Sequence, residues 1–238
     1  MGLSPPIGSL GCFVSFLLTL ASGLSMSSSS AAQVLPAAVA QLAAELEQAT
    51  SAEELLRVVR ALGSLGHVEG IPLLIRAFGF NRPAVGEAAL EEVLRFGEAA
   101  VGPLLANIDG FDYGARAYSV RALARIGHGD AYPFLAEAIV ADFAPSVRRA
   151  AARGLGQVAA RRPLSDQERA LHLLRQCLGD ADWGVRYAAV GSLTDLARLG
   201  EASLRSAVEA ALQMALQDAD PLIPLRARLS QQELAADP

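Results

Sequence analysis

Lysine is absent from the 238 residues: all 20 basic residues are Arg, set against 25 acids for a formal net charge of −5. That balance leaves no basic face to release counterions from a phosphate backbone, which excludes non-specific nucleic-acid binding. Cysteine is nearly absent too. Cys12 and Cys177 lie on either side of most of the chain in no disulfide-framework or metal-ligand spacing, which suits a reducing compartment. His67, His128 and His172 are isolated, with no His-x-x-x-His pair, so no metal site is expected. No P-loop, hydrolytic triad or paired-carboxylate signature occurs. No Arg precedes Arg57, so the apolar stretch "LGCFVSFLLTLASGL" (10 to 24) lacks both the charged start of a signal peptide and a positive-inside cue. It is also shorter than the roughly 20 residues that span a bilayer. The expectation for 1–32 is a disordered leader or an over-extended start before Met26, the alternative being a signal-like segment. No stable membrane insertion is expected, and the location is cytoplasmic. A single repeat domain is expected over 33–238.

What the chain has is apolar content, 52 % against 19 % charged, laid out at helical spacing from Val34 onward. "LAAELEQA", "AEELLRVVRALGSLG" and "AALEEVLRFG" place apolar residues at i, i+3, i+4 and i+7, and no segment alternates as a strand does. The pattern repeats. "AVGEAALEEVLRFG" (84 to 97), "GARAYSVRALARIG" (114 to 127), "SVRRAAARGLGQVA" (146 to 159) and "GVRYAAVGSLTDLA" (184 to 197) align on Val85, Ala115, Val147 and Val185. Each has an upstream helical segment, "IPLLIRAF", "VGPLLANI", "AYPFLAEAI" and "ALHLLRQCL", with Pro72, Pro103 and Pro133 near the starts, where a missing N–H costs nothing. A helix-turn-helix unit of about 30 residues predicts an all-α, HEAT-like α-solenoid of about five helical-hairpin repeats. The last, "AVEAALQMALQDADPLIPLRARL" (207 to 229), is degenerate; Pro221 and Pro224 are expected to break its second helix and cap the stack.

Within this frame "GLGQVA" (154 to 159) matches a Gly-x-Gly-x-x-Ala dinucleotide pattern but follows a helical segment instead of a strand, so it lacks the context that pattern needs. Cys177 falls in the apolar stripe "LLRQCL" and reads as an inert core thiol. The remaining polar and aromatic residues gather at the turns between paired helices: "FGFNRPAV", "IDGFDYGAR", "VADFAPSVR" and "LGDADWGVR". Asp112, Asp142 and Asp182 precede second helices, and Arg116, Arg148 and Arg186 follow in their first turns. One reading makes these helix caps and an Asp-to-Arg ladder between repeats. The other makes them ligand-binding groups. Phe111, Tyr113, Phe143, Trp183 and Tyr187 stand at the same turns in a chain only 5 % aromatic. A surface lined by Arg, Asp and rings suits a flat, anionic, conjugated ligand or a partner helix; ordinary packing between repeats is the alternative.

At these residues the chain resembles a known family. "DGFDYGARAYSVRALARIG" (109 to 127), "DFAPSVRRAAARGLG" (142 to 156) and "DWGVRYAAVGSL" (182 to 193) are similar to the E/F-type phycobilin lyases, most of all to their F-type subunits, over about Leu55 to Leu199. The resemblance implies a heterodimer with an E-type subunit. That heterodimer delivers a linear tetrapyrrole, phycocyanobilin, to a Cys of an apo-phycobiliprotein alpha subunit as a thioether at ring A. The bilin is then substrate, no cofactor is needed, and the nucleophile belongs to the acceptor. Thiol addition to the ethylidene group of a bilin needs orientation and a protonated tetrapyrrole. Asp112, Asp142 and Asp182 become candidates to accept from pyrrole N–H groups. Arg116, Arg148, Arg149 and Arg186 become candidates to pair with the propionates, and Tyr113, Trp183 and Tyr187 to flank the rings. Isomerising relatives carry an adjacent His-Cys pair, which is missing here, so attachment without isomerisation is expected. The alternatives are a non-catalytic HEAT-repeat protein that binds phycobiliproteins in antenna repair or degradation, and a general interaction scaffold.

Overall fold

The computed structural model describes residues 35–106, 108 and 112–236. The expected leader over 1–32, with Cys12 and Met26, lies outside the described residues, as do Phe111 and Asp109. Twelve α-helices alternate between two layers among the described residues, with short 3₁₀ turns and no strand. The first helices of the pairs are α1 (Ala37–Gln48), α3 (Ile71–Ala77), α5 (Val101–Leu105), α7 (Tyr132–Ala141), α9 (Leu164–Cys177) and α11 (Arg205–Ala215). The second helices are α2 (Ala52–Leu65), α4 (Pro83–Arg95), α6 (Tyr113–Ile126), α8 (Pro145–Ala159), α10 (Trp183–Leu199) and α12 (Leu222–Ala236). The chain is an all-α HEAT-like solenoid.

Local chemistry sets the boundaries. Ser51 and Glu54 form a reciprocal capping box at the start of α2, satisfying two otherwise orphaned backbone N–H groups. Gly66 and Gly127 end α2 and α6 at φ +68° and +73°, a left-handed turn that other residues resist. Pro72 and Pro133 fall in the first turns of α3 and α7, as their spacing predicts. Two expectations change. The hairpin α1–α2 stands as a further pair ahead of the five units that the periodicity aligns. And α12 is an unbroken helix of 15 residues. Pro221 precedes it and Pro224 lies in its first turn, where no intrahelical N–H bond is lost.

The core runs the length of the stack. The aligned residues Val85, Val147 and Val185 are fully buried, and Ala115 is half-buried. Consecutive second helices pack tightly, above all α6 on α8 and α8 on α10, while consecutive first helices touch much less. Glycine permits this. A Cβ on Gly154 would lie 2.2 Å from the Cβ of Ala124, and one on Gly156 would lie 2.0 Å from the carbonyl oxygen of Ser192. The two glycines of "GLGQVA" are therefore contact points between helices, inside α8, with no strand and no phosphate turn near them. Because the second-helix layer is the closer-spaced one, it forms the inner side of the stack.

Candidate functional site

The turns sort their carboxylates into two jobs. Asp112 caps α6, accepting from the backbone N–H of Gly114 at 2.8 Å and Ala115 at 3.2 Å. Asp182 caps α10, accepting from Val185 at 3.0 Å. Asp142 does something else: it accepts from Ala144 N–H at 2.9 Å and from Arg116 Nε and Nη2 of the preceding repeat at 2.9 and 3.1 Å. Asp180 repeats that pattern with Asp182 N–H and Arg148, and Asp218 with Asp220 N–H and Arg186. Asp142 is thus the structural counterpart of Asp180, as the alignment on Val147 and Val185 places it, and not of the capping Asp182, which likewise stands ahead of a second helix. These fork-to-carboxylate pairs are largely buried, with side chains 10–16 % exposed. They tie each repeat to the next, and Arg148 and Arg186 each spend a further nitrogen on turn carbonyls. Bonding from Arg148 holds Asp180 below the ordinary carboxylate range. Burial pushes Asp218 upward, but Arg186 and the Asp220 N–H together bring it below that range.

The rings are not buried between repeats. Tyr113 is 57 % exposed, Phe143 74 % and Trp183 48 %, while Tyr187 is half-buried and meets the edge of Trp183 at 6.5 Å between centroids. Arg116 lies over the ring of Phe143 at 5.1 Å.

A groove with a cavity volume of about 770 Å³ opens on the second-helix layer across α6, α8 and α10. Tyr113, Tyr118, Arg121 and Arg125 line it from α6, Arg149, Arg153 and Gln157 from α8, and Asp195 from α10. Arg121 is held by both carboxylate oxygens of Glu87, at 2.7 and 3.0 Å, and lies over Tyr118. Arg149 stands 3.8 Å from Asp182 and passes across Gly184, where a Cβ would meet its Nε at 2.7 Å. Arg125 and Arg153 make no hydrogen bond or ion pair among the described residues. Four arginines around one carboxylate give the groove wall an excess of positive charge, although Glu87 holds Arg121 and Asp182 lies near Arg149.

Of the residues singled out in the sequence, the groove gathers Tyr113 and Arg149; Trp183 and Tyr187 are not among its lining residues, and Trp183 stands next in sequence to the Gly184 that Arg149 crosses. Arg116, Arg148 and Arg186 are engaged in the ladder, and Asp112, Asp142 and Asp182 in capping or the ladder. Arg121, Arg125, Arg153 and Asp195 escaped sequence reasoning. Their signal is a spacing of four along each second helix, Arg121 to Arg125 and Arg149 to Arg153, which points charges along one face. Cys177 is buried, and that burial pushes its thiol up to about 12, so it is no nucleophile at neutral pH. No group of three or more metal-ligating side chains occurs among the described residues, and none of their helices is long and apolar enough to cross a membrane.

Comparisons with known proteins agree with this picture. The chain matches the family model for HEAT repeats over residues 101–194 and 141–230, and the PBS lyase HEAT-like repeat over 55–79. It is 42 % identical to the phycocyanobilin lyase subunit beta of Thermosynechococcus vestitus, over 77 % of this chain and 89 % of that one. It is 41 % identical to the phycocyanin alpha phycocyanobilin lyase CpcF of Synechocystis, over 67 % and 77 %. Among solved structures, it is similar to the complex of CpcE and CpcF of phycocyanin lyase from Nostoc sp. PCC7120. The TM-score there is 0.64 at 39 % identity, covering 69 % of this chain and 99 % of the matched one. An engineered protein at 18 % identity and TM-score 0.52 shares the fold alone.

Proposed function

This chain belongs to the F-type subunits of the phycobilin lyase family, and from that premise we propose where its bilin is held. The protein is a phycocyanobilin lyase subunit that attaches bilin to a phycobiliprotein. An E-type counterpart is supported by the complex of CpcE and CpcF. The acceptor is the alpha subunit of phycocyanin, as the activity of the Synechocystis relative suggests. Attachment proceeds without isomerisation, and it runs in the cytoplasm, where the acceptor thiol stays reduced. The lyase function belongs to the repeat domain, 33–238, and a chain starting at Met26 attaches bilin as the full chain does.

The bilin lies in the groove across α6, α8 and α10. A linear tetrapyrrole carries two propionates on a flat conjugated frame, so it needs two cations and aromatic flanks. Arg125 and Arg153, with Arg149 beside them, supply the cations. Tyr113, Trp183 and Tyr187 supply the flanks. Arg116, Arg148 and Arg186, with Asp142, hold the repeats in register behind the groove, and Asp112 and Asp182 fix the starts of α6 and α10. The catalytic contribution is orientation: a bilin fixed by both propionates presents its ethylidene carbon to the incoming thiol in one geometry.

The observation that carries this reading is the pair Arg125 and Arg153, two groove cations with no protein partner among the described residues. Its test is the double variant Arg125→Gln/Arg153→Gln in complex with the E-type subunit. Phycocyanobilin capture should weaken at least about tenfold, with helical circular dichroism unchanged. Capture at the unmodified affinity would put the ligand elsewhere.

A further inference from the structure

The groove contains one carboxylate, Asp195, and its position is unlike that of the other turn and ladder acids. Asp112, Asp142, Asp180, Asp182 and Asp218 all accept bonds from backbone or Arg. Asp195 accepts no hydrogen bond and makes no ion pair within 4.0 Å among the described residues, although it is half-buried on α10. The charged groups around it are Arg198 on its own helix, Arg226 and Glu233 on α12, and Arg153 in the shared groove wall on α8. Arg226 is already paired with Glu233 at 3.2 Å and runs beneath the open position at Gly191. A half-buried carboxyl group that accepts no hydrogen bond from the described residues, in the wall of a cationic groove, has its oxygens available to a ligand there.

We propose that Asp195 is the acid of the bilin site, hydrogen-bonding the pyrrole nitrogens and holding a proton on them. This rests on the bilin lying in the groove as proposed above. The protein's own chemistry favours the assignment over Asp112, Asp142 and Asp182, which their cap and ladder bonds tie to the turns and none of which lines the groove. Burial raises the proton affinity of Asp195 above that of an ordinary Asp, more than Arg226 and Arg198 lower it. Its carboxyl therefore keeps a proton to higher pH, which suits a general acid.

The proton balance closes. The Asp195 carboxyl gives its proton to a tetrapyrrole nitrogen, leaving a carboxylate beside a bilin cation. The acceptor sulfur then forms its bond to the exocyclic ethylidene carbon, the π pair of that double bond takes a proton from the cationic tetrapyrrole to make the C–H bond at the adjacent ring carbon, and the thiol's own proton passes to the Asp195 carboxylate. The proton lost from the thiol restores the count, so the net reaction is addition of S–H across the double bond and Asp195 is regenerated.

The experiment compares Asp195→Asn and Asp195→Glu with the unmodified chain, each in complex with the E-type subunit, using phycocyanobilin and the apo-alpha subunit. Asp195→Asn should still capture bilin, with the red-shifted band of the protonated chromophore weakened and transfer slowed about a hundredfold. The alkaline fall of the transfer rate should vanish from its pH profile, and Asp195→Glu should restore part of both. The melting temperature of Asp195→Asn at pH 7 should hold or rise, because burial disfavours the charged form of the carboxyl that has been removed. Unchanged spectrum, rate and pH profile would overturn the role of Asp195 while leaving the groove intact. A melting temperature lowered in step with activity would make the residue structural and overturn it equally. Capture that survives in Arg125→Gln/Arg153→Gln would instead overturn the groove itself.

Discussion

Arg148 on α8 reaches into the following repeat and grips Asp180 through two parallel bonds, Nε to Oδ2 at 2.8 Å and Nη2 to Oδ1 at 2.9 Å. Its remaining nitrogen donates to the carbonyls of Asp142 and Phe143 at 3.0 and 3.1 Å. One side chain thus closes its own repeat's turn and fastens the next. Arg186 does the same with Asp218 one repeat on. The inner register of the stack is therefore set by planar, forked donors that Lys would not supply.

Replacing Arg148 with Gln should cost about 2–3 kcal/mol in urea unfolding, near the lower end of what breaking a buried pair costs, since Asp180 keeps some access to water. Arg148→Lys should recover little of it, because an ammonium cannot form the two parallel bonds. A variant as stable as the parent would make the ladder ornamental.

Acid should loosen the stack through the same pairs. Asp180 and Asp218 are held below the ordinary Asp value of 3.8 when folded. The stability they contribute is therefore present above that value and is lost as pH falls through their lower folded values. Thermal melts between pH 7 and pH 2 should fall steeply below about pH 4. The steep part should flatten in Arg148→Gln, where one of the two carboxylates has lost its partner.

Trp183 stands half-exposed at the first turn of α10, so Trp183→Ala should lower stability by no more than about 1 kcal/mol. A core truncation would cost about 3–5 kcal/mol. Phycocyanobilin capture by the complex should nevertheless drop, because in the proposed site the ring flanks the bilin beside Arg149. Large destabilisation with unaffected capture would return Trp183 to packing.

Cys177→Ser should cost about 1–2 kcal/mol, from a hydroxyl buried where no bond is offered, and leave bilin transfer intact. Loss of transfer in a folded variant would contradict an inert thiol.

The helix pairs were legible in the sequence because one face of every helix is apolar at a spacing of three and four, and a buried Val or Ala recurs in each second helix. Other features needed three dimensions. In "GDADWGVR" the two acids Asp180 and Asp182 look interchangeable. Only the turn geometry sends the first to the preceding repeat's Arg and the second to its own helix start, so grouping the acids simply as residues ahead of second helices puts Asp142 with the wrong member, although the alignment on Val147 and Val185 matches it to Asp180. Pro224 reads as a helix breaker but costs nothing in a first turn. Arg149 is picked out by its turn, but Arg121, Arg125 and Arg153 are not, since nothing in a linear pattern tells that the faces of α6 and α8 meet across a groove.

The chain's one indole stands half-exposed at the start of α10, next to the glycine that the groove residue Arg149 crosses, and that helix is capped by Asp182. Indole emission, excited to the red of the four tyrosines, therefore comes from a single known point instead of an average over the stack. A chromophore entering beside Arg149 would drain that emission by energy transfer, so loading of the site can be followed optically with no added label, while amine-directed dyes would find no lysine to disturb it.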